Sequence, residues 1–171
     1  MNHYLALTII ADDRPGIIEK VADVVTNNGG NWLESNMSRL AGKFAGILLV
    51  NIAEEKQAAL LAALNTLDNQ GIRISGETSA AKAPAVGDHL GLTVVGNDRP
   101  GIVGELSSLL ARFHVNVEEL CTNCEDAPMS SEILFRATAK ISLPVSGLDK
   151  EQLQDELESL SDDLMVELED I

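Results

Sequence analysis

The stretch Leu-Thr-Ile-Ile-Ala-Asp-Asp-Arg-Pro-Gly-Ile, Leu7 to Ile17, occurs twice in this chain. Leu92 to Ile102 reads Leu-Thr-Val-Val-Gly-Asn-Asp-Arg-Pro-Gly-Ile. Arg14 is matched by Arg99, Pro15 by Pro100 and Gly16 by Gly101, always 85 residues on. In a chain of 171 residues that spacing leaves room for two copies. A solenoid needs at least about three stacked units, so the repeat predicts a tandem of two small domains.

Around the first copy, residues 5–11 form a continuous apolar run rich in β-branched side chains, which predicts a buried strand. Asp12-Asp13-Arg14-Pro15-Gly16 breaks it. Ile17, Ile18, Val21, Val24 and Val25 then follow at helical spacing. Pro15 suits a first helical turn and Asp13 is placed to cap it. The run Asn27-Asn28-Gly29-Gly30 tolerates left-handed backbone and ends the helix. The second copy repeats the pattern, with a strand at 90–96 and a stripe of Ile102, Val103, Leu106, Leu109, Leu110 and Phe113. Burying such a stripe is worth on the order of 10 kcal/mol gross, at roughly 1.5–3 kcal/mol per side chain.

Beyond each helix the order continues alike. Residues 31–40 and 44–52 predict a hairpin with its turn at Ala41-Gly42-Lys43. Residues 56–69 predict a helix through Leu60, Leu61, Leu64 and Leu67, and Ile72 and Ile74 alternate in a final strand. In the second half, strands are expected at 115–124 and from Ile133 to Leu143, joined by a longer tip at 125–131. A helix at 150–160 through Leu153, Leu157 and Leu160 and a strand through Leu164, Val166 and Leu168 complete it. Both halves read βαββαβ, the ferredoxin-like arrangement of one antiparallel sheet with two helices on one face. The fold class is α+β. Residues 1–79 are assigned to the first domain, 80–88 to a linker of small residues with Pro84 and Gly87, and 89–171 to the second domain.

Twelve Lys and Arg against 27 Asp and Glu give a net charge of −15. Six basic and nine acidic residues lie in 1–79, six basic and eighteen acidic in the rest. Nucleic-acid binding rests on cations that neutralise phosphates, so direct DNA contact is not expected. The acidity serves solubility, or a docking face for a basic protein. No run approaches the roughly 20 apolar residues of a membrane span. The start lacks a basic region ahead of its apolar run, so a cytoplasmic location without membrane attachment is expected. Two cysteines make no disulfide framework. Cys121 and Cys124 have redox spacing but fall on an expected strand with no second pair, so no metal, redox role or cofactor is assigned. No nucleophile–base pair and no phosphate-cradling loop is present, and the three histidines do not repeat between the halves. An enzyme is not expected.

A strand-to-helix turn aims the first N–H groups of the helix outward, with the positive end of the helix dipole behind them, which is a receptacle for a carboxylate. Gly16 and Gly101 let a ligand approach the backbone there. The alternative is that Pro-Gly simply makes a tight turn. The twin motifs and the βαββαβ order resemble the ACT domain, across nearly the whole chain. A pair of such domains with no enzyme attached is similar to the glycine cleavage system transcriptional repressor family. That resemblance implies an amino-acid-responsive transcriptional regulator that works by contact with a protein, a DNA-binding activator, rather than on DNA itself.

It also implies a small ligand, glycine or similar, held between paired domains of a homodimer. The ligand-binding candidates are then Asp12, Asp13, Arg14, Pro15, Gly16 and Ile17 with Asn31, and Asn97, Asp98, Arg99, Pro100, Gly101 and Ile102 with Asn116. Glu34 and Glu119 also match between the halves, as solvated strand residues or as partners for an ammonium. The alternative function is a regulatory subunit or constitutive interaction module for a metabolic enzyme, without a ligand of its own.

Overall fold

In the computed structural model, which describes residues 2–79, 87–129, 131–145 and 147–171, the apolar run at the start of the chain alternates rather than burying whole. The strand β1 (Asn2–Asp12) sends Leu5, Leu7, Ile9 and Ala11 into a core and leaves Thr8 and Ile10 exposed. Successive side chains of a strand point to opposite faces, and only one face here is covered. After it come α1 (Ile17–Asn27), β2 (Asn31–Leu40), β3 (Lys43–Ala53), α2 (Gln57–Asn65) and β4 (Ile72–Ser79). The second half repeats the order as β5 (His89–Asn97), α3 (Ile102–Arg112), β6 (Asn116–Asp126), β7 (Ile133–Ser142), α4 (Lys150–Glu158) and β8 (Leu164–Asp170).

The chain divides into two compact units, residues 1–82 and 83–171. Most of the expected linker, residues 80–86, lies outside the described residues. Each unit holds one four-stranded sheet, ordered β2-β3-β1-β4 in the first and β6-β7-β5-β8 in the second. All neighbouring strands run antiparallel. Two βαββαβ units of ferredoxin-like topology follow, an α+β fold.

In the first unit, Ile17, Val21 and Val25 of α1 and Leu60 and Leu64 of α2 pack on Leu5, Leu7, Leu48, Val50 and Ile52 of the sheet. Leu90, Leu92, Val94, Ile102, Leu106, Leu110, Ile141, Leu153 and Leu157 do the same in the second. No buried residue among those described is polar or charged. The expected stripes are narrower than they read. Ile18 and Val103 point outward at 52 % and 42 % exposure, because one face of a helix cannot hold five or six apolar positions against a single sheet.

Two boundaries also move. The helix expected at 56–69 opens and closes as tight 3₁₀ turns, Glu54–Lys56 and Thr66–Gln70, around the α-helical Gln57–Asn65. The hairpin turn is two residues, Ala41 and Gly42, both at positive φ (49° and 76°), the pattern that matches strand twist. The second hairpin keeps its strand to Asp126, so its tip begins two residues later than the sequence suggests.

Both hairpins share a defect. A register shift lies between Trp32 and Glu34 in β2 and between Val117 and Glu119 in β6, 85 residues apart. Each inserts one extra residue, Leu33 or Glu118, and such bulges bend a strand.

Leu48 has no exposed surface. Leu48→Ala is expected to lower the stability of the first unit by about 2–5 kcal/mol, read as a fall in the urea midpoint.

Candidate functional site

The repeated motif places its glycine, not its aspartate, at the head of the helix. Gly16 has φ 88° and ψ 1°, and Gly101 has φ 96° and ψ −9°. These are the values of the third residue of a type II turn, whose second position favours proline. Arg14-Pro15-Gly16-Ile17 and Arg99-Pro100-Gly101-Ile102 are such turns, and the helices begin after them, at Ile17 and Ile102. The expectation that Pro15 opens the helix and Asp13 caps it is therefore wrong. The left-handed glycine rotates the chain so that the aspartate lies outside the cap.

Asp13 instead donates its backbone N–H to the Gly42 carbonyl at 2.9 Å, and Asp98 does the same to Ile133 at 2.8 Å. No side chain caps either helix. The first intrahelical bonds are Lys20 N–H to Gly16 O (3.1 Å) and Glu105 N–H to Gly101 O (2.9 Å). The N–H groups of residues 17–19 and 102–104 precede those bonds, so they find no partner inside the helix.

The charges around the two turns differ. In the first, Arg14 donates to the Gln70 backbone carbonyl and the Lys20 ammonium to the Gln70 side-chain oxygen at 2.7 Å. Asp12 pairs with Lys43, whose hydrogen bond holds the Asp12 carboxyl below the usual carboxylate range. Asp13 lies 3.6 Å from Arg39. In the second, Arg99 grips Glu105 with both terminal nitrogens, at 2.7 and 2.8 Å, and gives Nε to Asp163 at 3.1 Å. Glu105 first and Asp163 second hold the Arg99 guanidinium above its ordinary value. Both arginines thus tether the turn to the start of the last strand of their unit.

A hollow of about 370 Å³ opens on the first turn, lined by residues 13–19 and Phe44. It brings together Asp13, Arg14, Pro15, Gly16 and Ile17 of the expected set. Asp12 stands beside it, exposed and engaged with Lys43. In the second unit a hollow of about 550 Å³ includes Gly101 but runs along α3 through Gly104, Ser108 and Arg112.

Asn31 and Asn116 are not joined to the turn of their own unit. Asn31 is level with Asn51 and hence Tyr4, eight residues of β1 from Asp12, roughly 26 Å along a strand. Asn116 is level with Ser142 and His89, the end of β5 away from Asn97. Glu34 and Glu119 sit partway along their strands, level with Leu49 and Lys140.

Phe44 and Arg39 were missed by sequence reading, though a signal existed. Phe44 lies level with Ala11 and Phe135 level with Gly96, so the aromatic repeats at the same structural place. The longer second hairpin hides this by stretching the spacing from 85 to 91 residues.

Cys121 and Cys124 are free and exposed. Three apart on β6, they face opposite sides of the sheet. Partial desolvation and the Asp98 carboxylate push the Cys124 thiol up, away from reactive thiolate. Among the described residues no group of three or more His, Cys, Asp or Glu is placed to hold a metal ion. No described helix is long and apolar enough to cross a membrane.

Residues 3–75 match the family model of the ACT domain. The first unit matches the ACT domain and the second repeats its fold, so the chain carries an ACT-like ferredoxin fold in two tandem halves. Among known proteins it is similar to the glycine cleavage system transcriptional repressor of Escherichia coli, 25 % identical over 131 residues, 74 % of this chain and 67 % of that protein. A UPF0237 protein of Methanopyrus kandleri is 36 % identical over 81 residues, 47 % of this chain and 87 % of that one. The crystal structure of an unknown protein from Galdieria sulphuraria covers 100 % of this chain and 99 % of its own, at 26 % identity and a TM-score of 0.82.

Two outcomes follow from the turns. A Cβ on Gly16 or Gly101 meets nothing closer than a flexible glutamate, at 3.9 and 3.5 Å, so only the left-handed backbone resists substitution. Gly16→Ala and Gly101→Ala should each destabilise by about 1–2 kcal/mol. Gly104→Ala, in the first turn of α3 with open space around it, should stabilise by up to about 0.5–1 kcal/mol. Chemical denaturation checks all three.

The second outcome concerns pH. Arg99 holds Glu105 below its ordinary 4.5, and Ser161 and then Arg99 hold Asp163 below 3.8. Carboxyls depressed in the folded state contribute stability above their unfolded values and lose it as pH falls through the folded ones. The second unit should therefore weaken on acidification below about pH 4.5. Melting curves of Glu105→Gln/Asp163→Asn should depend less on pH in that range.

Proposed function

We propose that the protein is an amino-acid-responsive regulator that acts by contact with another protein, in the manner that the name of its Escherichia coli relative suggests. A regulatory role is what that relationship supports. One observation carries the ligand reading. The first helix starts at an uncapped, left-handed glycine inside a hollow, with Arg14 and Lys20 nearby bonded to the neutral oxygens of Gln70. N–H groups with no partner inside the helix, the positive helix end and two cations whose hydrogen bonds go to neutral oxygens favour a carboxylate. The hydrophobic lining from Pro15, Ile17, Ile18 and Phe44 leaves room for a small side chain. The partner is a protein, such as a DNA-binding activator, because a chain at −15 is repelled by nucleic acid. A homodimer is expected, as ACT domains commonly pair.

A second reading also has an observation behind it. Both motif arginines are used inside the fold, as a structural turn with no ligand would use them. In that case the protein is a constitutive interaction module or a regulatory subunit of a metabolic enzyme.

Calorimetric titration with glycine, serine and the other amino acids separates the two. A ceiling of about 1.5 kcal/mol per heavy atom limits glycine to roughly −7.5 kcal/mol, a Kd no tighter than low micromolar. The ligand reading predicts a saturable heat for one amino acid between micromolar and millimolar, weakened in Gly16→Ala and Lys20→Gln with the circular dichroism unchanged. Silence across the set would favour the constitutive module.

A further inference from the structure

The strand registers align the two turns residue by residue and show that their charges were not copied. Lys20 stands where Glu105 stands, and Glu19 where Gly104 does, 85 residues on. Arg39 and Cys124 are both level with the repeated phenylalanine. Lys43 corresponds to Leu134, facing Asp12 and Asn97. Arg73 corresponds to Met165, facing Ile10 and Val95. Gly71 corresponds to Asp163, each just ahead of the last strand.

Around the first turn lie Arg14, Lys20, Arg39, Lys43 and Arg73 against Asp12, Asp13 and Glu19. Around the second lie Arg99 and Arg136, against Asp98, Glu105, Glu125 and Asp163. The first turn is net cationic and the second net anionic, among the described residues. The first glutamate of each helix, one position apart between the halves, also behaves differently. A Glu19 oxygen lies 3.9 Å from where a Cβ on Gly16 would be, and no described residue holds it in an ion pair. A Glu105 oxygen lies 3.5 Å from the same point on Gly101 and is fixed by Arg99.

We propose that Glu105, with Asp163, is a built-in lock that satisfies Arg99 from within the chain and closes the second turn to anionic ligands. The lock is a property of this unit alone. Its consequence, that one chain takes one carboxylate ligand and takes it at the first turn, rests on the function proposed above. A carboxylate arriving at the second turn would have to displace Glu105 from a two-pronged grip and face Asp98 and Asp163, like charges that raise the energy of any anion there.

The lock is tested without a ligand by modifying arginines of the full-length protein with phenylglyoxal and following each site by mass spectrometry. Arg99 is expected to react more slowly than Arg39, which is exposed and 3.6 Å from its carboxylate partner. In Glu105→Gln/Asp163→Asn its rate should rise roughly two- to fivefold, the range open to a partly exposed ion pair, with circular dichroism unchanged. Arg99 reacting as fast as Arg39 in the unaltered chain, or no faster in the variant, overturns the lock.

Calorimetry with glycine then tests the consequence. One equivalent per chain in the natural protein and two in the variant support it. Two equivalents in the natural protein, or one in the variant with Arg99 released, overturn it. No heat from either protein removes the ligand reading of the first turn, and the arginine rates then decide the lock alone.

Discussion

The passage from the first strand of each unit into its first helix has to be made by a residue without a side chain. The chain leaves β1 or β5 along the sheet and must turn back onto one face of it, and at Gly16 and Gly101 that takes a backbone with φ near 90°. An L-residue with a Cβ resists that conformation. Proline ahead of the glycine fixes the other half of the turn. Once the turn is made, the position of the helix, the sheet face it covers and the direction of its first N–H groups are all determined. The arginine before the proline then ties the turn to the start of the neighbouring last strand, through Gln70 in one case and Asp163 in the other.

That dependence explains why the fold was legible. Turn, helix stripe and strand order depend on local chemistry, and Pro15-Gly16, Val21-Val25 and the Leu60-Leu64 pair each carry their reading within a few residues. What was misread is what local chemistry does not encode. Leu5 to Ala11 looks uniformly buried because Ile10 is as apolar as Ile9, yet only one of them faces the helices. Asp13 looks like a cap because aspartate before a helix usually is one. The left-handed glycine behind it displaces the cap, and that shift is visible only in dihedral angles.

The site was legible in outline and not in composition. The motif residues cluster because they are adjacent in sequence. Phe44, Arg39 and Gln70 join them through strand pairing and the return of the chain at β4, contacts between positions some 25 to 56 residues from the turn. Asn31 and Asn116 show the reverse. They match at the same spacing as the motif, yet antiparallel geometry sends them to the other end of the sheet. A shared spacing therefore reports shared ancestry of position, not shared location.

The two units separate what a fold must keep from what a site is free to change. Gly16 and Gly101, the paired prolines, the bulge after Trp32 and Val117 and the buried strand positions recur because sterics and packing allow few alternatives. Positions 20, 39, 43 and 73 and their counterparts Glu105, Cys124, Leu134 and Met165 lie at exposed or half-exposed places where an exchange of charge barely disturbs packing. There four cations of the first half are matched by one anion and three neutral side chains in the second. Electrostatic character at a solvent-facing turn is set by such side chains rather than by the backbone beneath them. A duplicated scaffold can in this way hold two turns of the same shape and give them opposite preferences for charge.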